Sequence, residues 1–209
     1  MGKVKVKKAD VWIDMTPMSD VMVLLLTFFM LTSTFVKNEP VKVVTPGSVS
    51  ALKVPEKDVL NILFDKSGKV FMRMNNQAQM VDVLSGMTGQ FGVNLGNPLI
   101  KKFQKDPMWG VPMDKREAYL KLDESKRAEE IKNQGIPTDS IVTDGKKGKS
   151  EFQLWVDAAR NSSFGSDMKI AIKADAATPY KVVKKMMSEL QDMSENRYYL
   201  ITNLKKEGE

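Results

Sequence analysis

The side chain best placed to do chemistry is Asp20, which directly precedes a run of sixteen uncharged, mostly apolar residues, 21–36. A carboxylate in a membrane helix costs about 2.5–3.5 kcal/mol near the bilayer centre, and such residues commonly carry ions or protons. At helical spacing, Thr16, Thr27 and Thr34 fall on the same stripe as Asp20. The pattern indicates a helix that packs against protein on its polar side, with a carboxylate able to take up and release protons.

Two less specific interpretations of these residues remain open. Asp20 could lie in the lipid headgroup layer and mark the end of the helix, where an acidic side chain suits the helix dipole. The hydroxyls of Thr27 and Thr34 could bond back to carbonyl oxygens of their own helix. The residue pattern alone does not separate these interpretations from a proton carrier.

The composition of the 209-residue chain removes several other kinds of chemistry. There is no cysteine and no histidine, which excludes disulfides, thiolate or histidine metal sites, cysteine nucleophiles and a Ser-His-Asp triad. No phosphate-binding loop and no clear carboxylate pair is evident, and histidine and cysteine are absent, so we expect no enzyme activity. The 32 basic and 26 acidic residues are spread along the chain. This favours a solvated surface over a nucleic-acid interface.

The uncharged run predicts one transmembrane helix over residues 17–36, because twenty helical residues span about 30 Å. Thr16 suits the N-cap and Pro17 the first helical position. Four lysines in the preceding tail favour a cytoplasmic tail at 1–16 and a chain that continues outside the inner membrane. A cleaved signal peptide is disfavoured by the poor cleavage site. A buried core helix is disfavoured because the rest of the chain offers little apolar surface to enclose a helix that is apolar on all sides.

The remaining chain predicts an α+β fold, a small sheet with helices on one face, over residues 58–209. Proline, glycine and serine in residues 37–57 indicate a linker. Alternating and helical patterns predict strands at 59–65, 69–74, 168–174 and 198–203 and helices at 77–87, 151–160 and 179–193. We interpret Asp175 as a turn cap and Tyr180 as a core residue, and the charged stretch 114–132 as a solvated helix.

Three segments resemble the ExbD/TolR family of biopolymer-transport proteins. The first is Thr-Pro, two residues and then Asp at the start of the apolar helix, within 13–21. The second is a strand ending in Ala-Asp, followed by Pro-Tyr and a helix, within 170–183. The third is the final strand, 198–202. The resemblance covers roughly 12–36, 54–90 and 165–204, so residues 91–150 are an insertion relative to the usual family domain.

The resemblance implies a proton-channel subunit of an inner-membrane motor. Asp20 matches the family's essential aspartate, and Thr16, Pro17, Thr27 and Thr34 would form its supporting face. The subunit would form a homodimer inside a pentameric ring of ExbB/TolQ-like subunits, with its C-terminal domain in the periplasm. It would translocate protons without a cofactor and drive a TonB-like or TolA-like protein that energises transport at the outer membrane. The alternative is a passive membrane-anchored periplasmic binding module.

Overall fold

The computed structural model of the chain describes residues 16–33, 39–48, 55, 57–143 and 146–204. The chain divides into two compact units, Met1–Lys37 and Asn38–Glu209. Most of the predicted cytoplasmic tail and the candidate Thr34 lie outside the described residues. The predicted domain boundaries stay predictions.

The described part of the first unit is helix α1, Thr16–Thr32. Its 17 residues give a length of about 26 Å at 1.5 Å per residue, short of the roughly 30 Å of a bilayer's hydrocarbon core. Within the described ranges, no helix combines the length and the apolar character that a bilayer crossing requires. The predicted transmembrane helix over 17–36 is therefore wrong. The apolar composition continues to residue 36, but the described helix ends four residues earlier.

The second unit mixes strands and helices, so the α+β prediction is confirmed for this part of the chain. Its strands are β1 Gly47–Ser48, β2 Val59–Phe64, β3 Val70–Arg73, β4 Ser140–Thr143, β5 Lys146–Ser150, β6 Lys169–Ala174, β7 Tyr198–Leu200 and β8 Asn203–Leu204. Its helices are α2 Gln77–Phe91, α3 Asn97–Lys105, α4 Met113–Lys121, α5 Glu124–Asn133, α6 Glu151–Arg160 and α7 Tyr180–Asp192.

The main sheet has the strand order β3-β2-β6-β7. β2 and β3 form the predicted antiparallel hairpin, closed by a turn in which the Gly68 N–H donates to the Asp65 carbonyl at 2.8 Å. Gly68 has φ +79°, a conformation that glycine adopts without strain. β6 lies parallel to both β2 and β7. Short β1 pairs in parallel with β8, a contact that the sequence pattern did not indicate.

The central strand β2 is covered on both faces. Leu60, Ile62 and Phe64 point to one face and are fully buried, while Val59 and Leu63 on the other face are also buried. Residues of the predicted linker contribute to this core, since Val41 is buried as well. The second face of the sheet is therefore covered as well, in part by chain from the predicted linker, and alternate residues of β2 are kept out of water.

Helix α6 is fixed by a complete capping box at its N-terminus. The Gln153 amide donates to the Ser150 hydroxyl at 3.2 Å, and the Ser150 amide donates to the Gln153 side-chain oxygen at 3.0 Å. Its inward side chains, which include Trp155, are buried. The bounds of α6 agree with the helix predicted at 151–160.

The inserted segment 91–150 packs into the core. Trp109 forms an isolated antiparallel bridge with Met72 of β3, through two N–H···O bonds of 2.8 Å. α4 and α5 each bury an arginine, Arg116 and Arg127. The prediction of one solvated helix over 114–132 is wrong: two helices occupy this stretch, and they bury charged as well as apolar side chains.

Candidate functional site

The polar residues predicted as the proton-carrying site lie on α1. Thr16, Pro17, Asp20 and Thr27 all belong to this helix, and Asp20 is its one charged residue. The 17 residues of α1 include none that is buried. Its large apolar side chains are all exposed, the least at 55% for Val23 and the most at 87% for Leu31. The structure thus places one carboxylate on a helix whose apolar side chains are exposed in the described part of the chain.

The hydroxyl of one residue in the polar stripe, Thr27, is hydrogen-bonded within the helix. The Thr27 hydroxyl donates to the Leu24 carbonyl oxygen at 2.9 Å, and the Thr32 hydroxyl donates to that of Phe28 at 2.8 Å. This is the local bonding that sequence reasoning left open for Thr27. Asp20 is exposed and near the start of the helix. Its role as a proton carrier stays a prediction.

Asp175 is a structural cap, as the sequence indicated. One carboxylate oxygen accepts from the Ala177 amide and the other from the Val44 amide, both at 2.9 Å. These two N–H donors, that of Ala177 first, hold the pKa of Asp175 below its ordinary value. Tyr180 is 74% exposed, so its prediction as a core residue is wrong.

A charged groove of about 1170 Å³ runs along α7 beside α6 and β5, and sequence reasoning missed it. Its lining carries both signs of charge: Lys185 pairs with Asp139 at 2.7 Å, and the Ser150 hydroxyl donates to Glu189 at 2.9 Å. Burial is the main cause that raises the pKa of Glu189. The lysines of α7 occur on the wet side of a predicted amphipathic helix, which gave the only sequence signal for a charged surface here.

The inserted segment holds a second missed feature, a buried charge cluster. Arg127 pairs with Asp106, and the Arg116 guanidinium lies 4.4 Å from the centre of a Trp155 ring. Burial raises the pKa of Asp106 to about 6, against the lowering effect of Arg127. Burial also lowers the pKa of Arg116 to about 10. Arginines in a hydrophilic stretch are usually exposed, so the sequence gave no indication that Arg116 and Arg127 are buried.

Glu151 completes the charge balance of the cluster. It accepts from the Met113 amide at 3.0 Å and from the Trp155 indole N–H at 3.2 Å. Burial raises its pKa, and the indole bond is the largest effect that lowers it. With Glu151 and Asp106 ionised, the two acids balance Arg116 and Arg127. Over the ranges that the structure describes, no group of three acidic side chains is arranged to hold a metal ion.

Comparison with known proteins agrees with the resemblance seen in the sequence. The family model for biopolymer transport protein ExbD/TolR matches residues 7–204, nearly the whole chain and including the inserted segment. Neither the curated proteins nor the solved structures gave a significant match. The match extends over both α1 and the α+β unit, and on that extent the chain belongs to the ExbD/TolR family of biopolymer transport proteins.

Proposed function

We propose that this chain is the proton-carrying subunit of a membrane-associated motor, in which Asp20 takes up and releases protons to energise transport at the outer membrane. The family match supports a role in biopolymer transport. One observation supports the more specific proposal that Asp20 carries the proton. Asp20 is the one charged residue of α1, and the large apolar side chains of this helix are exposed in the described part of the chain.

An ExbB/TolQ-like ring is the partner that this helix requires. Eleven large apolar side chains on α1 are exposed, and a surface of that kind is characteristic of an interface. When α1 packs inside such a ring, Asp20 leaves water, and its charged and neutral forms then prefer different surroundings. Each proton transfer would shift the helix between these surroundings, which is the local event that a motor needs.

The second unit acts on the periplasmic side in this proposal. It would relay the movement of α1 to a TonB-like or TolA-like protein, and two copies of the chain would share one ring. The mixed-charge groove along α7 supplies a surface on which a partner with matching charges can be recognised. No metal or organic cofactor enters the mechanism, since the translocated species is the proton.

The test is Asp20→Asn, which keeps the size of the side chain but cannot ionise. In the native host deleted for this gene, we expect the variant to co-purify with its multi-span partner and to lose energised transport. Thr32→Val is the matched control: Thr32 lies on the same helix but outside the stripe of Asp20, and its hydroxyl bonds back to the Phe28 carbonyl, so we expect transport to persist. Full transport by Asp20→Asn would refute the proposal and favour a passive anchored binding module.

A further inference from the structure

A small, partly enclosed cavity lies within the inserted segment of the second unit. Its volume is about 10 Å³, its apolar walls come from Phe103 and Val111, and its polar lining comes from Asp106, Trp109, Arg116 and Tyr119. A cavity of this size holds about one water molecule when polar partners surround it. Its dimensions exclude an organic ligand.

The polar atoms around this cavity have bonding capacity that the protein does not use. In the described part of the chain, five buried side-chain atoms find no hydrogen-bond partner in the protein. Four of the five belong to three of the four polar residues that line the cavity: Asp106 Oδ2, Trp109 Nε1, and Arg116 Nε and Nη1. Buried polar groups in native proteins nearly always find a partner, either protein or ordered water. Because their residues line one cavity, that cavity is the candidate position for such a partner.

The donors and the acceptor match the capacity of a single water. A water accepts two hydrogen bonds and donates two, and buried waters typically make about three bonds. Trp109 and Arg116 supply donors, and Asp106 supplies an acceptor. A halide would meet the donors, but it would also lie against the Asp106 carboxylate, which repels an anion. Arg116 also donates through Nη2 to the Val111 carbonyl, and its guanidinium lies over the Phe103 and Trp155 rings.

We propose that this cavity is a binding site for one structural water, which accepts from the Trp109 indole and the Arg116 guanidinium and donates to Asp106 Oδ2. The water joins α4, which carries Arg116, to the segment between α3 and α4. That segment is bonded through the backbone of Trp109 to Met72 of β3. The site therefore anchors the inserted helices to the edge of the main sheet.

The first test is a high-resolution crystal structure of the full chain, grown at neutral pH with bromide in place of chloride. We expect one density peak in the cavity, at about 2.7–3.2 Å from Asp106 Oδ2, Trp109 Nε1 and one Arg116 nitrogen, without anomalous signal at the bromine edge. A cavity without density overturns the proposal. An anomalous peak there also overturns it, because the occupant would then be a halide.

A pair of tryptophan variants tests the contribution of the indole. Trp109→Phe removes the N–H that faces the cavity, and we expect the occupancy of the water to fall by half or more. Trp155→Phe is the control, because its indole N–H donates to Glu151 instead, so the water should keep its occupancy. Unchanged occupancy in Trp109→Phe refutes the assigned bond.

Water relaxation in solution provides a test that needs no variant. Oxygen-17 relaxation dispersion of the wild-type chain detects buried waters that exchange slowly with the solvent. We expect a contribution from at least one such molecule, and its absence would contradict the proposal.

Discussion

Arg127→Met should destabilise the second unit by an amount that depends on pH. Arg127 and Asp106 have side chains only 6% and 9% exposed, so their ion pair is shielded from water. Removing one partner of a buried pair typically costs about 3–5 kcal/mol. Methionine keeps much of the side-chain volume, so the loss should come mainly from the charge and the hydrogen bonds rather than from packing.

The pH dependence follows from Asp106, whose pKa of about 6 reflects burial opposed by Arg127. Without Arg127, burial is opposed only by the weaker effect of Arg116, so Asp106 should stay protonated to a higher pH. Above about pH 6, the difference in unfolding free energy between the wild type and Arg127→Met should grow by roughly 1.4 kcal/mol per pH unit. The reason is that only the variant still holds the proton on Asp106 and therefore continues to lose stability as the pH rises. Between about pH 6 and 7.5 this difference in stability should grow by about 2 kcal/mol. The variant should already be less stable by about 1–2 kcal/mol at lower pH, because the hydrogen bonds of Arg127 are lost.

The assay is urea unfolding of the full chain at about pH 5 and pH 7.5, followed by tryptophan fluorescence, with unfolding free energies extrapolated to water. The matched control is Lys121→Met, because Lys121 pairs with Glu117 on the surface of α4, where its side chain is 63% exposed. That variant should lose about 0.3–0.5 kcal/mol at both pH values. Equal losses in Arg127→Met at the two pH values would refute the reasoning about Asp106.

Two further predictions concern the same unit. Gly110→Ala places a Cβ 2.2 Å from a Phe71 ring carbon and should lower the unfolding free energy by about 1–3 kcal/mol. Gly89→Ala, on helix α2, places a Cβ with nothing within 4 Å and should raise it by up to about 1 kcal/mol. Thermal or urea unfolding measures both changes. The raised pKa of Asp106 means that the folded state holds a proton between roughly pH 4 and 6 that the unfolded state has lost, so stability falls as pH rises through this window. Relative to Asp106→Asn, the wild type should lose up to about 3 kcal/mol between those pH values, and a parallel pH profile for the two proteins would contradict this.

Local patterns predicted the elements whose residues are set by near neighbours in the chain. The alternation around Ile62 gave the β2–β3 hairpin, and the one-sided apolar spacing around Trp155 gave α6. The carboxylate of Asp175 was recognised as a cap because it follows a strand and precedes a turn. In each case the sequence signal lies within a few residues or on one face of one element, although Asp175 also accepts from the distant Val44 amide.

Long-range contacts account for what the sequence did not predict. Arg116 and Arg127 have the composition of a surface helix, and only the approach of Trp155 and Asp106 from elsewhere in the fold makes their burial favourable. The pairing of Trp109 with Met72 likewise depends on residues far apart in the chain. The helix that carries Asp20 was predictable from the sequence, but the length of that helix was not. Apolar composition does not specify where a helix ends, and α1 stops at Thr32 without a charged or proline residue to mark the place.

The position of β6 in the main sheet has a consequence for the order in which the chain assembles. β6 pairs with β2, although the whole inserted segment and α6 lie between them in the sequence. The β2–β3 hairpin and the individual helices need only local contacts and can form early, whereas the parallel pairing must wait for a long loop to close. Until then β2 presents an apolar edge that can pair with other chains. If residues 91–150 became compact before this pairing, the loop to be closed would be shorter and the apolar edge of β2 would be exposed for less time.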